Sequence, residues 1–462
     1  MLVTTLDSVS ARLRCRADRA DSTYPPHRVA SGYTEFVPPL SFHEARATVL
    51  REVRAGIPGP GLEAAPLLAC HGRVLAEDIH ADRDYPPFNR SMRDGFAVRS
   101  ADIPGRLRIV GEIRAGQVYP GSLQPGEAAE IMTGAPVPDG ADAVVMVEHC
   151  TRHADGSVST ERSAEPGSNI SPRGCEALSG SIVLPRGTRL DYTATACLAS
   201  VGRESTFVYA QPRVAILATG DELVEVSETP TGSQIRNSNA LSLAAQVERA
   251  GGIPEILPIA RDSKEHTRTL VERGLGSDLL LLSGGVSAGR YDVVEPVLAE
   301  LGATFFFDRV LIQPGQPVVF GRAAKRFFFG LPGNPASTMV TFEVFARAAL
   351  ELLSGFAEPS LPFALARLTR PFHHAPGLTR FLPAVVRCAE AQEPPDAAPE
   401  IGGTTHSAAF GGVTCACSPE VTPVASKGSG DIPALCRANA YLVADANQPD
   451  YAAGDLIPIL FK

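Results

Sequence analysis

The chain has 462 residues, a net charge of −9, and 44% hydrophobic against 20% charged residues. This is an ordinary globular composition on a chain too long for one core, so about two to four domains are expected. The acidic balance excludes a general nucleic-acid binder, which needs clustered Lys and Arg, and no run of about 18 apolar residues offers a membrane span.

Residues 1–38 are polar and irregular, with Arg12, Arg14, Arg16 and Arg19 interleaved with Asp18 and Asp21. They read as a tail without the apolar core of a signal peptide. Nine cysteines are scattered without a zinc spacing, Cys415-x-Cys417 included, which fits reduced thiols in a cytoplasmic protein. Ordered structure is expected from Ser41, which with Glu44 forms a capping box for a helix through Ala45, Val49, Leu50 and Val53. Arg73–Ile79 reads as a strand, and Tyr85-Pro-Pro-Phe88 imposes an extended path. In NRSMRDGFAV, residues 89–98, Asp94-Gly95 marks a turn before an apolar strand. Alternation continues through Arg108–Ile113 and Ala143–Val147, and Ile131-Met-Thr-Gly-Ala-Pro136 is a second strand-to-loop transition, carrying Thr133. Residues 86–150 therefore read as a small β-rich domain inserted into an N-terminal linker domain, 39–85 and 151–206, which ends on a short helix from Thr193 to Val201.

From Val214 the pattern changes. An apolar strand ends in Thr219-Gly-Asp-Glu222, and a helix Ala240–Ala250, a strand Ile256–Ile259 and a helix Lys264–Gly274 follow. The run Leu279–Leu282 then meets Ser283-Gly284-Gly285, before a helix Asp292–Leu301, strands at Ala303–Phe307, Pro317–Phe320 and Arg326–Gly330, and a helix Pro335–Leu353. Strands alternating with helices predict a doubly wound, largely parallel sheet over 207–355. Residues 356–462 read as a C-terminal β domain with strands Leu368–Phe372, Thr379–Val386 and Leu456–Leu460, and 389–420 as a long loop or insert. The expected fold class is α/β plus β, a central doubly wound α/β domain flanked by small β-rich domains.

Ligands of such a sheet bind at the C-terminal strand ends, near the point where strand order reverses. Three ends carry unusual residues: Thr219–Glu222, Ser283–Gly285 with Asp292 beyond, and Gly330–Pro335, where Asn334 suits an N-cap and Pro335 the first helical position. Taken singly they read as a turn cap, a helix cap and a strand-to-helix stop. Taken together, a glycine turn before a helix N-terminus is an anion cradle, and carboxylates beside it suggest Mg²⁺ between acid side chains and phosphate oxygens. Neither GxxxxGK[ST] nor a GxGxxG after a strand occurs. No Ser/His nucleophile arrangement is visible, and His71, His149 and His266 read as surface or structural.

Six runs in order, NRSMRDGFAV, IMTGAPVPDGADAVV, ATGDEL, SGGVSAGRYD, PGQP and GLPGNPAS, resemble the molybdopterin molybdenumtransferases, which include the C-terminal part of gephyrin, over about Leu40 to Lys462. The resemblance implies insertion of molybdenum from molybdate into adenylylated molybdopterin with Mg²⁺-assisted release of AMP. It implies a cytoplasmic homodimer whose sites combine two subunits, with a molybdopterin adenylyltransferase or molybdoenzymes as handover partners. By the match, Asp94, Thr133, Glu222, Asp262 and Asp292 serve binding or turnover, with Glu222 and Asp292 as metal ligands. Ser283, Gly284, Gly285, Ser287, Arg290, Gln313, Gln316, Pro332, Gly333, Asn334, Pro335 and Ser337 line the substrate.

The chain departs from the family at several positions. Gln313-Pro-Gly-Gln-Pro317 stands where many relatives read KPGKP, and Ser171 stands where an Arg is expected, with Arg173 two residues on. Arg290 stands where many relatives have an acidic residue; it reads either as a solvated surface residue or as a fork of donors that restores part of the positive field that Gln313 and Gln316 lack. Two other readings remain. A molybdopterin adenylyltransferase is disfavoured by chain length and by GGVSxG in place of GGTG. A non-catalytic molybdopterin-binding or scaffold protein fits the missing lysines but not the presence of Asp94, Glu222 and Asp292.

Overall fold

Strands that alternate with helices must bury both faces of their sheet, and four consecutive leucines achieve this by pointing alternately up and down. The structure, a computed structural model, describes residues 38–56, 59–261, 263–285, 293–387 and 419–462, which divide into two units. One unit joins the first helix to residues 212–353 and 359–462.

Its chain runs α1 (Phe42–Gly56), β1 (Arg213–Ala218), α2 (Ser238–Arg249), β2 (Ile253–Ile256), α3 (Lys264–Gly274), β3 (Leu279–Ser283) and α4 (Val294–Glu300). It continues through β4 (Thr304–Phe307), β5 (Val319–Ala323), β6 (Arg326–Leu331), α5 (Pro335–Thr341) and α6 (Arg347–Leu353). The sheet order is β2-β1-β3-β6-β5-β4, parallel throughout except for β5, which runs against both neighbours. The expected doubly wound sheet is therefore present. Val214, Ile216, Leu279, Leu281, Phe327 and Phe329 face one core with α1, α2 and α5. Ala215, Leu217, Leu280, Leu282 and Phe328 face the other, against α3 and α4.

Local chemistry sets the helix ends. Glu44 accepts the Ser41 N–H at 2.9 Å while Ser41 Oγ accepts the Glu44 N–H at 3.3 Å, so the capping box forms. Between α5 and α6, Phe342–Ala346 widens into a π-helical turn that buries Glu343 to 1% exposure. Its carboxylate is held by Arg249 at 2.5 Å and by Arg347, which also meets Glu351 at 2.9 Å. Arg46 donates to Val344 O at 2.7 Å and Pro359 O at 3.1 Å, and burial pulls its pKa down to about 10.

The rest of this unit is a small barrel. β7 (Phe363–Leu368), β8 (Thr379–Arg387), β9 (Glu420–Pro423), β10 (Ala440–Ala444) and β11 (Leu456–Phe461) pair in the ring β8-β9-β7-β11-β10-β8. Closure removes most free edges, leaving the start of β8 beyond the reach of β9. Ala366, Leu368, Ala384, Val421, Leu442 and Ile459 fill the interior. Phe381 and Tyr441 point instead into the α/β core, where Phe42 lies 5.4 Å from the Phe381 ring. The strand expected at Leu368–Phe372 lies at Phe363–Leu368 instead, because Pro371 has no N–H to extend a ladder. The stretch 389–418 lies outside the described residues.

The second unit spans residues 58–211 with 354–358. Six strands lie in the order Ala143–Met146, Gly95–Val98, Glu127–Ile131, Gly105–Ile113, Ser157–Thr160 and Thr151–Arg152, so the pairing runs on to Thr160. In a separate core with Leu75, Ile79 and Val208, helix Tyr192–Ser200 is capped by the Asp191 carboxylate, which accepts the Ala194 N–H at 2.8 Å. The strand expected over Arg73–Ile79 is reduced to bridges at Val74 and Leu75 before Ile79–His80. There the Glu77 carboxylate takes the Phe207 N–H at 3.0 Å in place of a ladder bond. No helix of the described residues is long and apolar enough to cross a membrane.

The buried Glu343 carries the first prediction. Glu343→Ala leaves Arg249 without its counter-charge and Arg347 with Glu351 alone, and because Arg249 is half exposed and Arg347 keeps a partner the cost falls at the low end of a buried-pair loss, about 3 kcal/mol. Denaturant unfolding followed by circular dichroism measures it.

Candidate functional site at the strand-order reversal

From β1 the chain crosses to β2 through α2, then returns past β1 to β3 through α3, so strand order reverses between β1 and β3. The carboxyl ends at that reversal form the natural ligand crevice. Here the backbones touch. Thr219 N–H donates to Ser283 O at 3.0 Å, and Gly284 N–H donates to Leu331 O at 3.1 Å. Gly284 has φ +86°, and a Cβ on it would lie 2.9 Å from Thr219 O. Asn239, in the first turn of α2, donates through Nδ2 to Ser283 Oγ at 3.0 Å and to Gly333 O at 2.7 Å, tying two loops together.

The loops form a cavity of about 70 Å³ whose lining includes Thr219, Glu222, Arg236, Asn239, Ser283, Gly284, Gly333 and Pro335. Thr219 Oγ1 and Asn239 Oδ1 are buried there without a hydrogen-bond partner. Glu222 folds its carboxylate over Gly220, where an added Cβ would lie 2.3 Å from Oε2. Arg261 Nη1 donates to Leu223 O at 3.0 Å and holds that turn. Among the described residues no three His, Cys, Asp or Glu side chains gather as a metal cluster. One carboxylate at a phosphate-sized cradle still fits Mg²⁺, which takes one or two carboxylates and fills its shell with substrate oxygens and water.

A larger cavity of about 590 Å³ lies on the other side of the α5 start: Pro335 lines the small cavity, Ala336 and Ser337 the large one. Its remaining walls include Gln313, Gln316, Arg380, Ser426, Ser429 and Tyr441. Ile312–Gln313 pairs in parallel with the start of β8, which sets Gln313 beside Arg380. Arg380 Nε is buried without a partner. Sequence reasoning passes over Arg380, because nothing in its own neighbourhood marks it; only the pairing with Gln313 brings it to the cavity. Burial pushes the Tyr441 hydroxyl up to about 12, so it stays protonated.

Asn334 occupies the N-cap position of α5, but its side chain makes no capping bond. The Thr338 hydroxyl instead donates to Pro332 O and to Asn334 O, and Ser429 O accepts the Ala336 N–H at 2.9 Å. Gly285, with φ +65°, continues the turn begun by Gly284. Asp262, Ser287, Arg290 and Asp292 lie outside the described residues.

The other unit brings Asp94 and Thr133 together. Asp94 Oδ1 accepts the Thr133 N–H at 2.6 Å, and this bond, then the Thr133 hydroxyl, holds the carboxyl below the usual carboxylate range. Gly95 is required behind it, since a Cβ would lie 1.9 Å from Val145 O. Arg173 is committed to Asp84 at 2.7 Å.

Comparison with known proteins matches three family models in succession: "MoeA N-terminal region (domain I and II)" over 40–202, "Probable molybdopterin binding domain" over 215–352, and "MoeA C-terminal region (domain IV)" over 412–462. The chain is 35% identical to the molybdopterin molybdenumtransferase of Bacillus subtilis, over 84% of this chain and 87% of that one. It is 36% identical to the protein of that name from Nostoc sp., over 64% of this chain and 70% of that one. Among solved structures, a molybdopterin biosynthesis moeA protein from Pyrococcus horikoshii OT3 aligns with TM-score 0.70 at 26% identity, covering 92% of this chain and 100% of that one.

The contact at Gly284 is testable on stability alone. Gly302 has φ +76° with open space around a Cβ, so Gly302→Ala costs only the left-handed penalty of roughly 1–2 kcal/mol. Gly284→Ala must also push Thr219 aside and is expected to cost about 1–3 kcal/mol more, read as the difference between the two variants in thermal unfolding.

Proposed function

Since the chain belongs to the molybdopterin molybdenumtransferase family, we propose that it inserts molybdenum from molybdate into adenylylated molybdopterin and releases AMP, the last step of molybdenum cofactor synthesis. The observation that carries this reading is the pair of cavities sharing the Pro335–Ser337 turn. The small one, with backbone loops and unpartnered polar atoms, suits the pterin and phosphate. The large one, with the unpartnered Nε of Arg380 among neutral donors, suits an oxyanion.

In this reading the chain's own groups act by holding and orienting. Arg380, Gln313, Gln316 and Ser337 bind molybdate beside the dithiolene end of the substrate. Gly284 and Gly333 let the backbone approach the phosphate closely. Glu222, with Asp292, would hold Mg²⁺ against the phosphate oxygens; bound there, the ion offsets the charge that develops as AMP leaves. Asp94, kept ionised by Thr133, is a further candidate for substrate binding or turnover, as are Asp262, Ser287 and Arg290. We take the working form as a cytoplasmic homodimer, its sites drawing on both subunits, with a molybdopterin adenylyltransferase or a molybdoenzyme as handover partner.

Incubation with adenylylated molybdopterin, Mg²⁺ and molybdate is expected to release AMP; substrate binding with no AMP release would turn the reading to a non-catalytic molybdopterin-binding protein. Arg380→Gln removes a charge-assisted bond and is expected to raise the molybdate needed for half-maximal release by about tenfold. Arg290→Ala should raise it less, and an unchanged requirement removes Arg290 from the oxyanion field. The Asp94 pKa is depressed, so its charge is present above that value and lost as pH falls through it. Thr133→Val deletes one of the donors, and the Asp94 titration, followed by carboxyl NMR, is expected to move to higher pH.

A further inference from the structure

The small cavity holds two polar atoms without a hydrogen-bond partner among the described residues. A carbonyl oxygen can only accept, so the Asn239 amide atom 2.7 Å from Gly333 O is the nitrogen, and Oδ1 takes the other side. That Oδ1 is buried and unpartnered, and so is the hydroxyl of Thr219, whose residue is 6% exposed. Buried polar atoms without partners are uncommon in folded proteins, and two lining one cavity call for an occupant. Oδ1 can only accept, whereas the Thr219 hydroxyl rotates to donate or accept. At about 70 Å³ the space holds roughly five ordered waters, or one edge of a flat heterocycle with the remainder outside.

We infer that Asn239 and Thr219 read the edge of the pterin ring: Asn239 Oδ1 accepts the lactam ring N–H, and the Thr219 hydroxyl donates to the adjoining carbonyl oxygen. This rests on the assignment of the small cavity to molybdopterin and names the atoms that recognise it. Asn239 is also a positioning residue. Both of its N–H groups are spent on Ser283 and Gly333, so the same side chain fixes the spacing of the two glycine loops and presents its oxygen between them. A ring with a lactam edge satisfies both atoms. A ring alkylated at that nitrogen leaves Oδ1 unpaired, the kind of loss on which hydrogen-bonding sites discriminate most strongly.

The test uses the full chain. Thr219→Val keeps the shape and deletes the hydroxyl; it is expected to weaken binding of adenylylated molybdopterin, followed by pterin fluorescence, by about tenfold. Asn239→Ala is paired with a thermal melt, and the sharper readout is competition by 6-hydroxymethylpterin against its N3-methyl derivative. The parent should prefer the unmethylated ring, and Asn239→Ala should lose that preference whether or not its loops loosen. Equal binding by Thr219→Val together with unchanged preference in Asn239→Ala overturns the inference and assigns the two atoms to ordered water. Failure of the parent chain to bind adenylylated molybdopterin at all overturns both the inference and the functional reading on which it rests.

Discussion

No side chain fits between the tips of β1 and β3. Thr219 and Ser283 are joined backbone to backbone, and the residue after Ser283 lies so close to the Thr219 carbonyl that it must be glycine. Neighbouring parallel strands ending at one level leave their last peptides side by side, and only turns without Cβ atoms let both chains depart towards different helices. The rest of the site follows. Gly284 leads away from the β3 tip, Gly333 comes within reach of its Cα, and Gly220 leaves room for the Glu222 carboxylate to fold over the first turn. Asn239 can span two loops only because they are this close.

The two cavities differ in how they can hold charge. The small one is lined mainly by backbone and neutral side chains, with Glu222 and Arg236 as its charged residues of opposite sign. The large one has a cation, Arg380, without an ion-pair partner among the described residues, set among amides, hydroxyls and a protonated phenol. Neutral donors hold an oxyanion by direction and fit more than by net field, so such a cavity is less sensitive to ionic strength than one lined with lysines.

How much of this was legible depends on whether the cause was local. α1 is legible because Ser41 and Glu44 cap each other within one turn, and α3 because its apolar spacing and flanking residues agree. The doubly wound sheet is legible from alternation, and three strand ends stand out by their glycines and carboxylates. Arg380 is invisible because its place comes from a ladder between distant segments, and the unpaired atoms of Thr219 and Asn239 are invisible because solvation state is not a property of sequence. Asn334 suits a cap by type, yet a carbonyl of the barrel loop, Ser429 O, accepts the Ala336 N–H that a capping side chain would take. Arg73–Ile79 has the composition of a strand, but one glutamate carboxylate replaces the ladder there.

The parallel pairing of Ile312–Gln313 with Thr379–Arg380 has a consequence for how this architecture can evolve. The barrel leaves only the start of β8 open, beyond the reach of β9, so the α/β chain docks on it at one short register. Because side chains along a strand alternate in direction, a slip of a single residue there would turn Arg380 away from Gln313 and leave the cavity without its cation. The barrel is thus not an interchangeable attachment. A chimera that grafts a foreign barrel onto this sheet inherits an oxyanion cavity only if the graft point keeps the phase of that two-residue ladder, which makes the junction heritable as a unit while the sequences on either side remain free to drift.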